Sequence, residues 1–240
     1  MSKTAIIGGT GECGKSLLAN IFKSPNIPYQ NLHLIARRSQ DIQKTISPAK
    51  PDSINITESI IDFEELCNNP ASKNFQNEKN PFKNVDKVFC TLGTTKKAAG
   101  SAERFTRIDR DYVVAAAKMA KENGVEEFHY VGSKGEANSM FLYMRTKGEI
   151  RDALKKLNFK KLVYYQPGVL LVNRVESRPT EAVIQNIFKG LSALSSSVAV
   201  STDSVGKAMV YKSLNMDNGF EIVENNDITG LAKKFDQDQK

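Results

Sequence analysis

This chain of 240 residues predicts a doubly wound α/β fold, a mostly parallel sheet with helices on both faces. Three observations carry that prediction. Short apolar runs alternate with helical patterns about six times. The first run stops at glycines 8, 11 and 14, and a helical pattern follows at once. No segment repeats with a period of about 20 to 50 residues, which excludes a solenoid.

The elements follow in order. Thr4–Ile7 reads as the first strand. Gly8 lets the chain turn sharply out of it, Gly11 leaves room for a pyrophosphate against the backbone, and Gly14 brings the helix close to the strand. Free amides at the positive end of that helix suit an anion. With Thr10, Glu12 and Cys13 these glycines form the first set of candidate cofactor contacts. Cys13 stands where a helix terminus would lower a thiol's pKa, although a small residue beside a nucleotide explains it better than redox sensing. Leu17, Leu18, Ile21 and Phe22 keep helical spacing, and Pro25 and Pro28 end the helix.

Asn31–Ala36 is the second strand, with Arg37 and Arg38 directly after it. In a dinucleotide fold that strand end faces the adenosine ribose. An acidic residue there binds the 2′-hydroxyl and an arginine accommodates a 2′-phosphate, so the pair predicts NADP(H). His33 alternates within the strand and reads as a packed or edge histidine. Residues 39–56, with Pro48 and Pro51, form a variable connection holding one short helix. Glu58–Ile61 is a third strand, ending at Asp62 and Phe63; Asp62 either meets the adenine edge or caps the helix that begins at Glu64. Residues 68–84 are a loop.

Asp86–Thr91 is the fourth strand, and Leu92, Gly93 and Thr94 follow where ligands of open sheets collect. A long helix runs over 103–123 to Gly124. Phe128–Val131 is the fifth strand, closing on Gly132 and Ser133; a helix over 141–157 follows. Lys161–Tyr165 is the sixth strand, ending at Pro167, Gly168 and Val169. Beyond 169 the pattern is less regular. Val169–Val172 is strand-like, Arg174–Arg178 is a basic-acidic turn, a helix lies near Glu181–Leu191, and Ser195–Ser201 is rich in small residues. A helix Asp203–Leu214, a strand Phe220–Val223 and a short polar helix complete the chain. The expectation is a single domain over 1–240, with a core of about 1–168 and a small lobe from 169 to 240 covering the open end of the cofactor site.

Composition narrows the function. Hydrophobic residues make up 40% and charged residues 25%, and no apolar run is long enough to span a membrane, so the expected location is cytoplasmic. A net charge of +7 is spread along the chain without aromatic interleaving, which argues against nucleic acid. It leaves room for peripheral association with a membrane surface. Three scattered cysteines and no Cys-x-x-Cys pair indicate neither a disulfide framework nor a metal site.

The chemistry rests on Ser133, Tyr143 and Lys147. Tyr143 and Lys147 are four apart in a helix and share a face. A neighbouring ammonium stabilises a phenolate, so Tyr143 is placed to transfer a proton. Ser133, at the preceding strand end, would bond the same substrate oxygen while a nicotinamide delivers hydride to carbon.

With these residues in view the sequence resembles the short-chain dehydrogenase/reductase superfamily in its atypical or extended form. More narrowly, it resembles the Tat-interacting-protein family of NADPH-binding oxidoreductase-like proteins. The matching stretches are Gly8–Gly14, Leu34–Arg38, 90–95, 107–112, 133–135, Phe141–Gly148, 166–171 and 176–179. The resemblance implies a Rossmann-type fold with bound NADPH. It implies Ser133 as the carbonyl-orienting group, Tyr143 as proton donor, Lys147 as ribose ligand and modulator of the phenol, and Pro167-Gly168 beside the nicotinamide. Gly132 departs from it where relatives often carry a second serine, Gln166 departs where arginine is common, and the 68–84 loop is longer than usual. Two functions follow from the resemblance. One is an NADPH-dependent reductase of an unidentified small carbonyl compound. The other is an NADPH-loaded regulatory or scaffold protein that binds protein partners with little turnover. Homodimerisation through the helices at 103–123 and 141–157 is common in the superfamily.

Overall fold

In a computed structural model, residues 2–24, 28–39, 41–172 and 199–239 are described. They form a seven-stranded sheet whose neighbours are all parallel, in the order β3-β2-β1-β4-β5-β6-β9. The strands are β1 (Lys3–Ile7), β2 (Asn31–Ala36), β3 (Asn55–Ile60), β4 (Lys87–Cys90), β5 (Glu127–Val131), β6 (Lys161–Gln166) and β9 (Gly219–Glu224). A separate parallel pair joins β7 (Val169–Leu171) to β8 (Ala199–Ser201). The six predicted strands and the run 220–223 are all present, and the fold is the expected Rossmann-type one.

Central parallel strands are covered on both faces, so they read as continuous apolar runs. Alternation then deals their side chains to two cores. Ala5, Ile7, Cys90, Tyr130 and Tyr164 join one face with helix α6 (Tyr112–Glu122) and helix α7 (Leu142–Lys156). Ile6, Phe89, Val163 and Tyr165 join the other with α1 (Glu12–Lys23), α8 (Thr202–Leu214) and α9 (Asn225–Asp238). The register pairs Ile7 with Ile35 and Cys90, and Val131 with Tyr165, so the loops leaving these strands share one edge.

Several elements differ from expectation. β3 begins at Asn55, three residues before the predicted Glu58, because an exposed edge strand needs no apolar signal. The connection 39–56 holds the expected short helix α2 (Ile42–Thr45). The loop 68–84 contains two 3₁₀ turns and is pinned by buried Phe75 and Phe82. The helix expected over 103–123 is present without a gap over 102–122, but its winding changes within it. Helix α5 (Ala102–Thr106) passes into a π-helical turn, Arg107–Asp111, before α6. The final helix is a full 14 residues, with Ile228, Ala232 and Phe235 buried on one face. β9 and α8 belong to the main layers, through pairing with β6 and packing on α1. Pro25, the turn 174–178, the helix near 181–191, residues 195–198 and the matching stretch 176–179 lie outside the described residues.

Candidate active site

Chain order reverses between β1 and β4, and in open α/β sheets ligands collect at that switch point beyond the strand ends. The glycine turn is built there. Gly8 has φ +85°, a conformation other residues rarely adopt. The Thr91 hydroxyl donates to the carbonyls of Ile7 and Gly8 at 3.1 and 3.0 Å, tying the turn to β4. A Cβ on Gly14 would lie 2.3 Å from the Gly8 carbonyl oxygen, so the helix approaches this closely only as glycine. Gly11 is the N-cap of α1 without a side-chain cap, and the space where its Cβ would stand meets only the Gly8 oxygen. The first amides of α1 therefore face an open cradle at a positive helix end, which fits a pyrophosphate.

Thr10, Gly11 and Glu12 are exposed at the rim, and Cys13 and Gly14 are buried below it. Burial and the charge of Glu12 push the Cys13 thiol up to about 12, opposite to the lowering a helix terminus alone would produce. Arg37 and Arg38 leave β2 directly at the same edge, both exposed. Asp62 caps the helix α3 (Phe63–Asn68), its carboxylate accepting from the Glu64 amide at 2.8 Å. The Phe63 ring belongs to the core, stacked on Tyr112 at 5.4 Å, and only its main chain lies at the edge. Leu92 packs on the core, Gly93 is exposed, and the Thr94 amide points inward. The Gly168 amide donates to the Asn225 side chain at 2.8 Å, fixing the segment between Pro167 and half-exposed Val169.

Two elements bring Ser133, Tyr143 and Lys147 together. Ser133 follows β5, and Tyr143 and Lys147 lie on α7. The Ser133 and Tyr143 hydroxyls are hydrogen-bonded at 2.9 Å. The Lys147 ammonium sits 5.6 Å from the centre of the Tyr143 ring, whose plane stacks on Phe105 at 6.0 Å. Tyr143 is 48% exposed, so its hydroxyl can meet a ligand. Lys147 is buried and ion-paired with Asp109, which is wholly buried. Asp109 comes from the π-helical turn, and its other oxygen accepts from the Thr94 amide at 2.7 Å. Two hydroxyls converge where a carbonyl oxygen can be held, one of them a phenol able to release a proton.

No protein-family model matches the chain. Rat HTATIP2 is 35% identical over 234 residues, spanning 96% of this chain and 89% of that protein. The chain belongs to the HTATIP2, or Tat-interacting-protein, family. Fmp52 of Emericella nidulans, named as mitochondrial, is 31% identical over 225 residues, or 91% of this chain and 90% of that one. Among solved structures, MoeE5 with UDP-glucuronic acid and NAD is similar at TM-score 0.62 and 14% identity, covering 93% of this chain and 76% of that one. Citrobacter triphenylmethane reductase with NADP(H) is similar at TM-score 0.58 and 13% identity, covering 92% and 68%. These likenesses establish the fold of NAD(P)-binding epimerases and reductases for this HTATIP2 relative.

A side chain at Gly132 is excluded sterically. A Cβ there would stand 2.4 Å from the Tyr164 hydroxyl, which occupies the space and donates to the Lys147 carbonyl at 3.0 Å. Asp109 is the site residue that sequence reasoning did not single out. A signal existed: Asp109 stands on the apolar stripe of Phe105, Tyr112, Val113 and Ala116, where a charge must be paired. No helix among the described residues is long and apolar enough to cross a membrane.

Proposed function

We propose that the protein binds NADPH at the glycine turn and reduces a small carbonyl compound, with Tyr143 as proton donor. The contact of Ser133 and Tyr143 hydroxyls at 2.9 Å, beside the open helix end, supports this reading above any other observation. When bound at the glycine turn, a reduced nicotinamide would supply the hydride that the carbonyl carbon takes up. Ser133 and Tyr143 hold the carbonyl oxygen. As that oxygen gains negative charge, the O–H bond of Tyr143 breaks and its proton moves to the oxygen, leaving an alcohol and a phenolate. Tyr143 takes a new proton from solvent, to which it is half exposed. Arg37 and Arg38 select NADPH over NADH through the 2′-phosphate.

The test is NADPH consumption across a panel of aldehydes, ketones and quinones, run beside Tyr143→Phe. The expected result is turnover of at least one carbonyl class and a loss of about 10²-fold or more in the variant. No turnover on the whole panel, or an unaffected variant, contradicts the reading.

A second reading, an NADPH-loaded scaffold for a protein partner, draws on Met140 and Phe141, 93% and 76% exposed just before α7. Pull-downs with and without NADPH, using wild type and Met140→Ser/Phe141→Ser, address it; capture insensitive to both changes argues against it.

A further inference from the structure

Of eight large apolar side chains exposed among the described residues, five lie on the two segments that leave β5 and β6 at the carboxyl edge. Met140, Phe141 and Tyr143 lead into and open α7, and Val169 and Leu170 open β7. Leu214, by contrast, ends α8 at the opposite edge, next to the Ser213 carbonyl that holds Lys87. A concentration of exposed apolar surface beside polar groups marks a binding surface.

The two segments leave neighbouring strands but belong to opposite layers. The Gly132 amide donates to the Tyr165 carbonyl at 3.0 Å, so Ser133 and Gln166 leave the sheet side by side. α7 packs on one face of the sheet through Ile150 and Leu154. β7 pairs with β8, whose Val200 packs on the other face. The bonded hydroxyls of Ser133 and Tyr143 are therefore flanked by apolar side chains from both layers. Each flank has a fixed start. The Phe141 amide donates to Ser139 Oγ at 3.2 Å, and the Gly168 amide is held by Asn225. Met140, Phe141, Val169 and Leu170 offer no strong hydrogen-bonding side-chain group. A hydroxyl-rich ligand seated on them would lose water without replacement, whereas an alkyl chain gains by leaving water.

We propose that the carbonyl compound carries a medium-length alkyl chain, which lies against Met140 and Phe141 on one side and Val169 and Leu170 on the other while its oxygen meets the Ser133 and Tyr143 hydroxyls. This rests on the reductase reading above and names its substrate class. Two polar groups orient the carbonyl, and the apolar flanks select by length, a division of labour usual in small-molecule sites.

The experiment is calorimetric titration of butanamide, hexanamide and octanamide into the full chain saturated with NADPH. A primary amide presents the same carbonyl oxygen and takes no hydride, so binding is read without turnover. Wild type is expected to bind octanamide about 80-fold more tightly than butanamide, about threefold per methylene. In Met140→Ser/Phe141→Ser and in Val169→Ser/Leu170→Ser that ratio is expected to drop to about tenfold, half of the chain's contribution on a logarithmic scale. Tyr143→Phe weakens all three amides alike and keeps the ratio, and Leu214→Ser changes neither. A wild type indifferent to chain length overturns the proposal. So do two double variants that keep the wild-type ratio, or amide binding indifferent to Tyr143→Phe, which would put the chain elsewhere. NADPH consumption with butanal and octanal separates the two readings. A length-dependent amide series without turnover of either aldehyde fails the reductase reading alone; turnover without any length dependence overturns the alkyl site alone.

Discussion

Two lysine–carboxylate pairs, one largely and one fully buried, stand at opposite edges of one sheet, and they are built differently. Lys87 and Glu127 open β4 and β5 at the amino-terminal edge and pair at 3.0 Å. Around them the polar groups close on one another. His129 Nε2 donates to Glu127 at 2.6 Å and Nδ1 accepts from the Tyr165 hydroxyl at 2.9 Å, while Lys87 donates to the Ser213 carbonyl at 2.9 Å. Burial lowers the pKa of Lys87 and of His129. It would raise that of Glu127, but His129 and Lys87 outweigh it and hold the carboxyl below its usual range. Lys147 and Asp109 stand at the carboxyl edge, below half-exposed Tyr143 and near the Tyr130 hydroxyl, which has no hydrogen-bond partner among the described residues. A closed network specifies a structure; an open one next to a cradle for an anion leaves polar capacity for a ligand. Ion pairing is thus used twice, once to fix β4 against β5 and once to hold Lys147 beneath Tyr143.

The largest expected effect breaks the closed network. Glu127→Ala leaves part-buried Lys87 with only the Ser213 carbonyl and buried His129 without its carboxylate, and urea unfolding should show a loss of about 3–5 kcal/mol with NADPH affinity retained by the folded fraction. Gly14→Ala comes next. Its Cβ meets the Gly8 carbonyl at 2.3 Å, so it should cost about 1–3 kcal/mol and weaken dinucleotide binding together, because the turn itself must move. Arg37→Ser/Arg38→Ser separates specificity from stability. Parallel NADPH and NADH titrations should show the preference for NADPH falling by at least about tenfold with unfolding unchanged, since two charged hydrogen bonds at about 1.5–3 kcal/mol each are removed from the 2′-phosphate.

Acid gives the smallest effect. His33, held between Thr57 and Ser59, is lowered to about 4 by burial and by Lys3. The unfolded histidine titrates near about 6.5, so the unfolded chain binds the proton first. This contribution is complete above that value and is lost as pH falls from about 6.5 toward 4. Below that, Glu64, held to about 2 by the Tyr112 hydroxyl and the Arg107 and Arg104 guanidiniums, loses its contribution as pH drops from the carboxylate range. His33→Gln should flatten the first stretch of the stability–pH curve and leave the second.

The cradle was legible in sequence because its parts are neighbours in the chain. Gly8 to Gly14 and Arg37–Arg38 each follow a strand within a few residues, and their spacing is the signal. Ser133, Tyr143 and Lys147 were also readable, since strand end and helical spacing place them on one edge. Asp109 was not singled out, although helical spacing to Phe105, Tyr112 and Val113 puts it on the buried stripe; its partner Lys147 lies far along the chain on another helix, which spacing within one element does not reveal. Tyr164 was hidden for a similar reason: its hydroxyl fills the space above Gly132 from a strand away. β3 began early because an edge strand made of Asn55, Ile56 and Thr57 offers no alternation to detect.

The comparison of the two pairs is tested most directly by Lys87→Met and Lys147→Met, each carried through urea unfolding and NADPH titration. Lys87→Met should lose stability and keep the NADPH affinity of the folded protein. Lys147→Met should lose affinity by more than its unfolding change explains. If both variants lose stability and affinity in the same proportion, the two edges do the same work and the account is contradicted.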